Sequence, residues 1–328
     1  MTVHIEEAPA APPPPVKGTR GPGENRRPPR RRVPSGLVPY LLLAPAVIAI
    51  LAVLGYALFR NVLISFQEFG RKQLISRTTE WTGIDNYRAV LENERFWDSL
   101  VRTFVFMAVN VVLIMIIGTL LGLLLNALGS RMRLVLAASL VAAWAMPVIA
   151  TTTVFRWLFD TQFGVANWLM RTFGFSGYDQ HNWFGSGVST LTIVTLLIVW
   201  TSVPFVALNL YAGLTTVSGE IWEAARMDGA SAQRIFWSIL LPIMRPFFMI
   251  TTFLEIIWVF KAFAQIYAMN GGGPDRGSET LPVMAYVEGM GQNQYGMAAA
   301  ISVLTLVILL IAMSFYFRLI LKQEKENS

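Results

Sequence analysis

Charged residues vanish from long stretches of this chain. No Asp, Glu, Lys or Arg occurs in the 27 residues between Arg32 and Arg60, nor in residues 103–130, 134–155, 180–219 or 289–317. A sixth run, 246–274, is interrupted only by Glu255 and Lys261. Each run exceeds the roughly 20 residues that a helix needs to cross the hydrocarbon of a bilayer. A soluble protein could bury one such helix but not six. The pattern predicts an all-α polytopic membrane protein with spans near 36–59, 103–128, 134–155, 189–214, 247–268 and 297–319.

Between the fourth and fifth runs the pattern changes. Residues 218–242 keep charge and are punctuated by a mid-segment glycine and a terminal proline. Ser218 is placed to cap a short helix carrying Glu220 and Glu223 near its positive end. Ile221, Trp222 and Ala225 share one face of it. Gly229 can take the positive φ that ends a helix, and Ser231 can cap a second one. That second helix has Ile235, Phe236, Ile239 and Leu240 on its apolar side, and Pro242 is expected to stop or kink it. The product is an amphipathic helix–turn–helix at the membrane surface. Its small pair Ala224 and Ala225 leaves room for a close partner, with Glu223 and Asp228 as charged anchors.

Composition narrows the chemistry. The chain has 328 residues, 54% apolar and 14% charged, against about a quarter charged in soluble domains. Zero cysteines exclude disulfides and thiolate metal sites, and two histidines, His4 and His181, exclude a histidine cluster. No metal site is expected. No cleavable signal is expected either, because the first apolar run continues for a full span without a small-residue cleavage site. None of the five lysines follows a glycine, so no Walker A loop can cradle a nucleotide, and no catalytic carboxylate pair stands out.

Seven of the 26 basic residues lie in the first 32, in a Pro- and Gly-rich tail that cannot bury a core. Residues 1–33 are predicted to be a disordered basic tail held near anionic headgroups. Alternation of spans puts 15 basic residues on the side of this tail and 9 on the other, which places both termini in the cytoplasm. Without the tail the balance would be 8 against 9. On the opposite side, residues 155–184 hold ten aromatic residues, a composition suited to short interfacial helices. The expected organisation is the tail, a six-helix domain over 34–322 that includes the amphipathic loop 218–242, and a cytoplasmic C-terminal tail at 323–328.

The loop carries a resemblance. Glu223-Ala224-Ala225, three residues, Gly229, nine residues, then Ile239-x-Leu241-Pro242 meets every fixed position of the EAA loop of ABC-importer permeases. With Trp200-x-x-x-Pro204-Phe205 upstream and Asn270-Gly-Gly-Gly-Pro-Asp275 downstream, residues 36–322 resemble the MalF-type subunit of binding-protein-dependent carbohydrate importers. The resemblance implies the type I importer permease fold, without the large periplasmic insert of the maltose system. It also implies that Glu223, Ala224, Ala225, Asp228, Gly229, Ile239, Leu241 and Pro242 couple to an ATPase.

By the same resemblance the partners are a second permease in a heterodimer, two ATP-binding subunits and an extracytoplasmic solute-binding protein. ATP and Mg²⁺ belong to the ATPase, and this chain binds no cofactor and no nucleic acid. The setting is the cell membrane. The substrate is expected to be a sugar, of di- or oligosaccharide size. Trp200, Thr201, Ser202, Phe205, Glu255 and Lys261 are the expected path residues, an aromatic plane beside hydroxyls suiting a sugar. Val259 and Ala262 stand where the maltose subunit has asparagines, so identical sugar contacts are not implied. Glu255 and Lys261 are about 120° apart around a helix and poor partners for each other, so each is expected to face a polar cavity or the second permease. The alternatives are a permease for a non-sugar solute such as a glycerophosphate, or an ion-coupled carrier using Glu255 or Lys261.

Overall fold

A computed structural model describes residues 38–326. The predicted basic tail lies outside the described residues. Two units are distinguished, one ending at Tyr56 and one starting at Ala57. In the first, an α-helix Val38–Ile50 runs into a π-helical turn, Leu51–Gly55. Its side chains from Leu42 to Tyr56 are almost all exposed and apolar, as lipid or another subunit would require.

Among the described residues five helices are long and apolar enough to cross a membrane: Leu42–Ser65, Glu94–Ala127, Gly187–Leu214, Arg245–Asn270 and Tyr295–Arg318. They are called here the first, second, fourth, fifth and sixth spans. The third is a bent pair, Ser130–Trp144 and Val148–Leu158, meeting at 95°. A straight span over 134–155 was the expectation. The bend follows from Pro147, which has no N–H to give and disfavours helical backbone at Met146; Pro147 itself is extended, at φ −59° and ψ 136°.

Other boundaries shift for local reasons. The second span starts at Glu94 rather than near 103, because the Asn93 side chain accepts the Arg95 amide and caps it. The fifth is continuous only to Phe260 and resumes at Ala264. The last helix runs Tyr295–Glu326, so the segment expected to be a tail from 323 is helical as far as it is described. The stretch expected as a loop, 60–99, holds a two-residue strand pair, Gln67–Glu68 with Glu80–Trp81, and helices Arg71–Ser76 and Asp85–Glu92.

The core of the second unit is the seam between the second and fourth spans. Gly118 and Gly122 let the backbones approach: a Cβ on Gly118 would lie 2.8 Å from the Val206 Cβ, and one on Gly122 3.1 Å from the Ala207 carbonyl oxygen. Small residues at a helix crossing are the usual device where lipid offers no hydrophobic drive. At the loop-side end of the second span, Arg133 donates to the carbonyls of Leu125 and Leu128 and lies over the Tyr211 ring. It satisfies helix-terminal acceptors that have no intrahelical donor. Gly118→Leu should overpack this seam and cost ~1–3 kcal/mol or more. Thermal unfolding in detergent checks it, and an unchanged midpoint would show the seam to be loose.

Candidate functional site

The loop after the fourth span folds as two short helices at a sharp turn. The first is Gly219–Met227 and the second Ala232–Ile243. Gly229 joins them at φ +69°. The Ala230 amide donates to the Ala225 carbonyl at 3.0 Å, the six-residue closure that a left-handed residue at this point makes possible. The Ser231 hydroxyl accepts the Arg234 amide at 3.3 Å, as expected. Ser218 has the extended backbone of a cap, but its side chain makes no capping bond.

The second helix passes Pro242 by one residue before it ends. Helical backbone continues to Ile243, because Phe236–Leu240 widen to a π turn in which the Leu241 amide reaches the Phe236 carbonyl. A wider turn gives room for a proline that would clash with the preceding turn of a regular helix.

Burial divides the motif into two faces. Ala225, Ile235 and Leu240 are buried in the same core as the fourth span, with Trp222, Phe236 and Ile239 packed against it. Glu223, Ala224, Met227, Asp228 and Gly229 face away and are exposed, as is Pro242. The alanine pair therefore does not act as a unit. Ala225 seats the helix on the bundle, and only Ala224 leaves room on the outer side. Ile239 and Leu241 are half-buried and belong to the seat. Ile221, expected on the inner face, is exposed. Met227 at 87% exposure and Trp237 at 60% join the outer surface, which sequence reasoning missed.

The expected path residues separate. Trp200 lies midway along the fourth span, and Pro204 leaves its carbonyl without the usual intrahelical donor. The Thr201 hydroxyl is committed to the Leu197 and Ile198 carbonyls at 3.1 and 3.0 Å. Phe205 sits between two tryptophans not singled out from sequence: ring centroids are 6.2 Å from Trp144, stacked, and 5.1 Å from Trp258, tilted. Trp200 meets Phe155 at 6.1 Å, across from the bent third span. Rings from 45 to 61 positions apart in the chain meet here, a contact that no periodicity encodes.

Glu255 does not open onto a cavity. It is wholly buried on the fifth span, its carboxylate oxygens lacking well-formed hydrogen bonds, and the Ser202 hydroxyl approaches from the fourth. Lys261 is exposed where the fifth span breaks, so the two ionisable groups share no site.

A second polar centre was not foreseen. Arg95 at the start of the second span forms ion pairs with Glu279 and Glu288 of the segment linking the last two spans. Its Nε donates to Glu279 Oε2 at 2.9 Å, and Arg102 donates to the Glu279 carbonyl at 2.7 Å. A cavity of about 260 Å³ adjoins it. Among the described residues no group of three His, Cys, Asp or Glu could hold a metal ion.

A bundle of apolar spans with a two-faced helical finger at one end defines a membrane permease subunit built to be driven from outside itself. Residues 114–323 match the model of the binding-protein-dependent transport system inner membrane component. The chain is 52% identical over 327 residues, covering all of both chains, to the diacetylchitobiose uptake system permease protein DasB of Streptomyces coelicolor. It is 31% identical to the trehalose/maltose transport system permease protein MalF of Thermococcus litoralis, over 83% of this chain and 89% of that one. A bacterial alginate ABC transporter, solved with a pentasaccharide-bound periplasmic protein, shares the fold at TM-score 0.73 and 17% identity, over 85% of this chain and 92% of that one. The chain belongs to the family of binding-protein-dependent transport system inner membrane components. It is a multi-pass ABC-importer permease subunit, not an enzyme.

Proposed function

We propose that this chain is one permease half of an importer that carries a di- or oligosaccharide across the cell membrane. The outer face of the Gly219–Ile243 finger is the observation that carries the reading. Glu223, Ala224, Met227 and Asp228 are exposed, while the opposite face is buried in the bundle. A partner that moves this finger moves the fourth and fifth spans, because Ala225 and Leu240 share their core. That partner is an ATPase dimer holding ATP and Mg²⁺, and this chain binds neither. A second permease completes the path, and an extracytoplasmic binding protein delivers substrate. Both termini lie in the cytoplasm.

A sugar fits because the relatives whose names state a substrate carry glycosides, and because Trp200, Phe205, Trp144 and Trp258 offer aromatic surface at mid-span. The test is uptake of radiolabelled diacetylchitobiose and maltose by the complete complex in proteoliposomes. ATP inside should drive uptake of one of them with the proton gradient dissipated. Loss of uptake on dissipation alone would favour ion coupling through Glu255, and transport of glycerophosphate but neither sugar would favour the non-sugar alternative. Trp200→Ala should lower uptake about fivefold, as expected for one aromatic contact worth ~1 kcal/mol. Unchanged uptake would remove Trp200 from the path.

A further inference from the structure

Between the bent third span and the fourth, the chain forms a helix of eight residues, Val165–Thr172. At about 100° per residue, Val165, Trp168, Leu169 and the capping Phe173 fall in one arc of about 140°. Asn167 and Arg171 lie on the opposite side. The two sides are treated differently. Asn167 is buried and pinned to the segment behind it: its amide donates to the Thr161 and His181 carbonyls, each at 3.0 Å, and accepts from the Trp183 indole at 2.7 Å. Arg171 pairs with Asp179 on that side. In the apolar arc, Trp168 is 55% exposed, Phe173 74% and Leu169 41%.

We infer that this apolar face lies in the leaflet opposite the coupling finger, so that the helix floats at the lipid–water interface and fixes the depth of the cap over the third and fourth spans. Three observations favour lipid as the occupant. The segment leaves one apolar span at Leu158 and enters the next at Gly187, so it cannot stray far from the membrane surface. Exposed rings at Trp157, Phe163 and Phe175 continue the face at both ends, the side-chain types that belts at bilayer interfaces favour. The arc holds one polar side chain, Thr172, whose hydroxyl is spent on the Trp168 carbonyl at 2.8 Å. Its charged groups, Arg171, Asp179 and Asp160, lie off the arc. The amides of Phe163 and Gln162 hold the Asp160 carboxyl below the usual carboxylate range.

The absence of cysteine from the sequence makes the test direct. Leu169→Cys and Arg171→Cys are made singly in the complete complex, spin-labelled, and reconstituted in phospholipid vesicles. Collision rates with oxygen, which concentrates in lipid, and with a water-soluble nickel chelate then give depth. The label at 169 should meet oxygen several-fold more than the chelate, and the label at 171 should show the reverse ranking. Phe173→Cys repeats the reading from a second position on the same face. The inference is overturned if the label at 169 meets the chelate as freely as that at 171, or is shielded from both reagents as beneath a protein partner. Depth is read without reference to which side is cytoplasmic, so the result stands apart from the proposed topology and substrate.

Discussion

Gly229→Val is expected to abolish ATP-driven uptake while leaving the chain in the membrane at its normal level. The reason is backbone geometry, since a Cβ at this glycine would touch nothing within 4 Å. At φ +69° a β-branched residue is strained by roughly 1–3 kcal/mol, and the turn relieves the strain by opening. Opening breaks the Ala230–Ala225 closure and swings the second helix off its seat. Gly229→Asn tolerates the left-handed region and should retain most uptake. Glu223→Lys should fail as completely by a different route, because it reverses charge on the exposed face without disturbing the turn. Uptake by reconstituted complexes, with membrane content measured alongside, decides the matter. Normal uptake in both the valine and lysine variants would remove the finger from energy transfer.

Arg95→Ala should be the most destabilising single change away from the finger. Side-chain exposures in the cluster are 12% for Arg95, 2% for Glu279 and 8% for Glu288. Removing the arginine leaves two buried carboxylates with no cation between them, and breaking such a pair costs about 3–5 kcal/mol. The loss should appear as a lower thermal midpoint of the detergent-solubilised complex. The triple change Arg95→Ala, Glu279→Gln, Glu288→Gln should recover much of it, since no charge then remains buried. A single variant within experimental error of the parent would mean that water already reaches the cluster.

The five charge-free runs, and a sixth broken only by Glu255 and Lys261, fall on the five long apolar helices and the bent pair because membranes punish exposed charge over about 20 residues. The finger was equally legible: Gly229, Ser231 and the acids near Ser218 are local signals, and local geometry obeyed them. The spacing placed Ala225 on one face with Trp222, and both meet the bundle, whereas Ile221 of that face does not. A nine-residue helix has too few turns for periodicity to fix the edges of the buried arc. The 95° bend had a signal in Met146-Pro147, outweighed in the reading by an unbroken apolar run. The rings of Trp144, Phe205 and Trp258 and the Arg95 cluster are tertiary facts. Glu279 and Arg95 are 184 positions apart, and nothing local to either announces the other.

Central to the account is a finger whose outer face is gripped by a nucleotide-driven partner. Met227, 87% exposed on that face, can carry a photoreactive benzoylphenylalanine in the complete assembly. Irradiation should join it to the ATP-binding subunit, with a yield that changes between nucleotide-free and ATP-bound states. A photoproduct with lipid alone, or none in an assembly that still imports, would contradict the account.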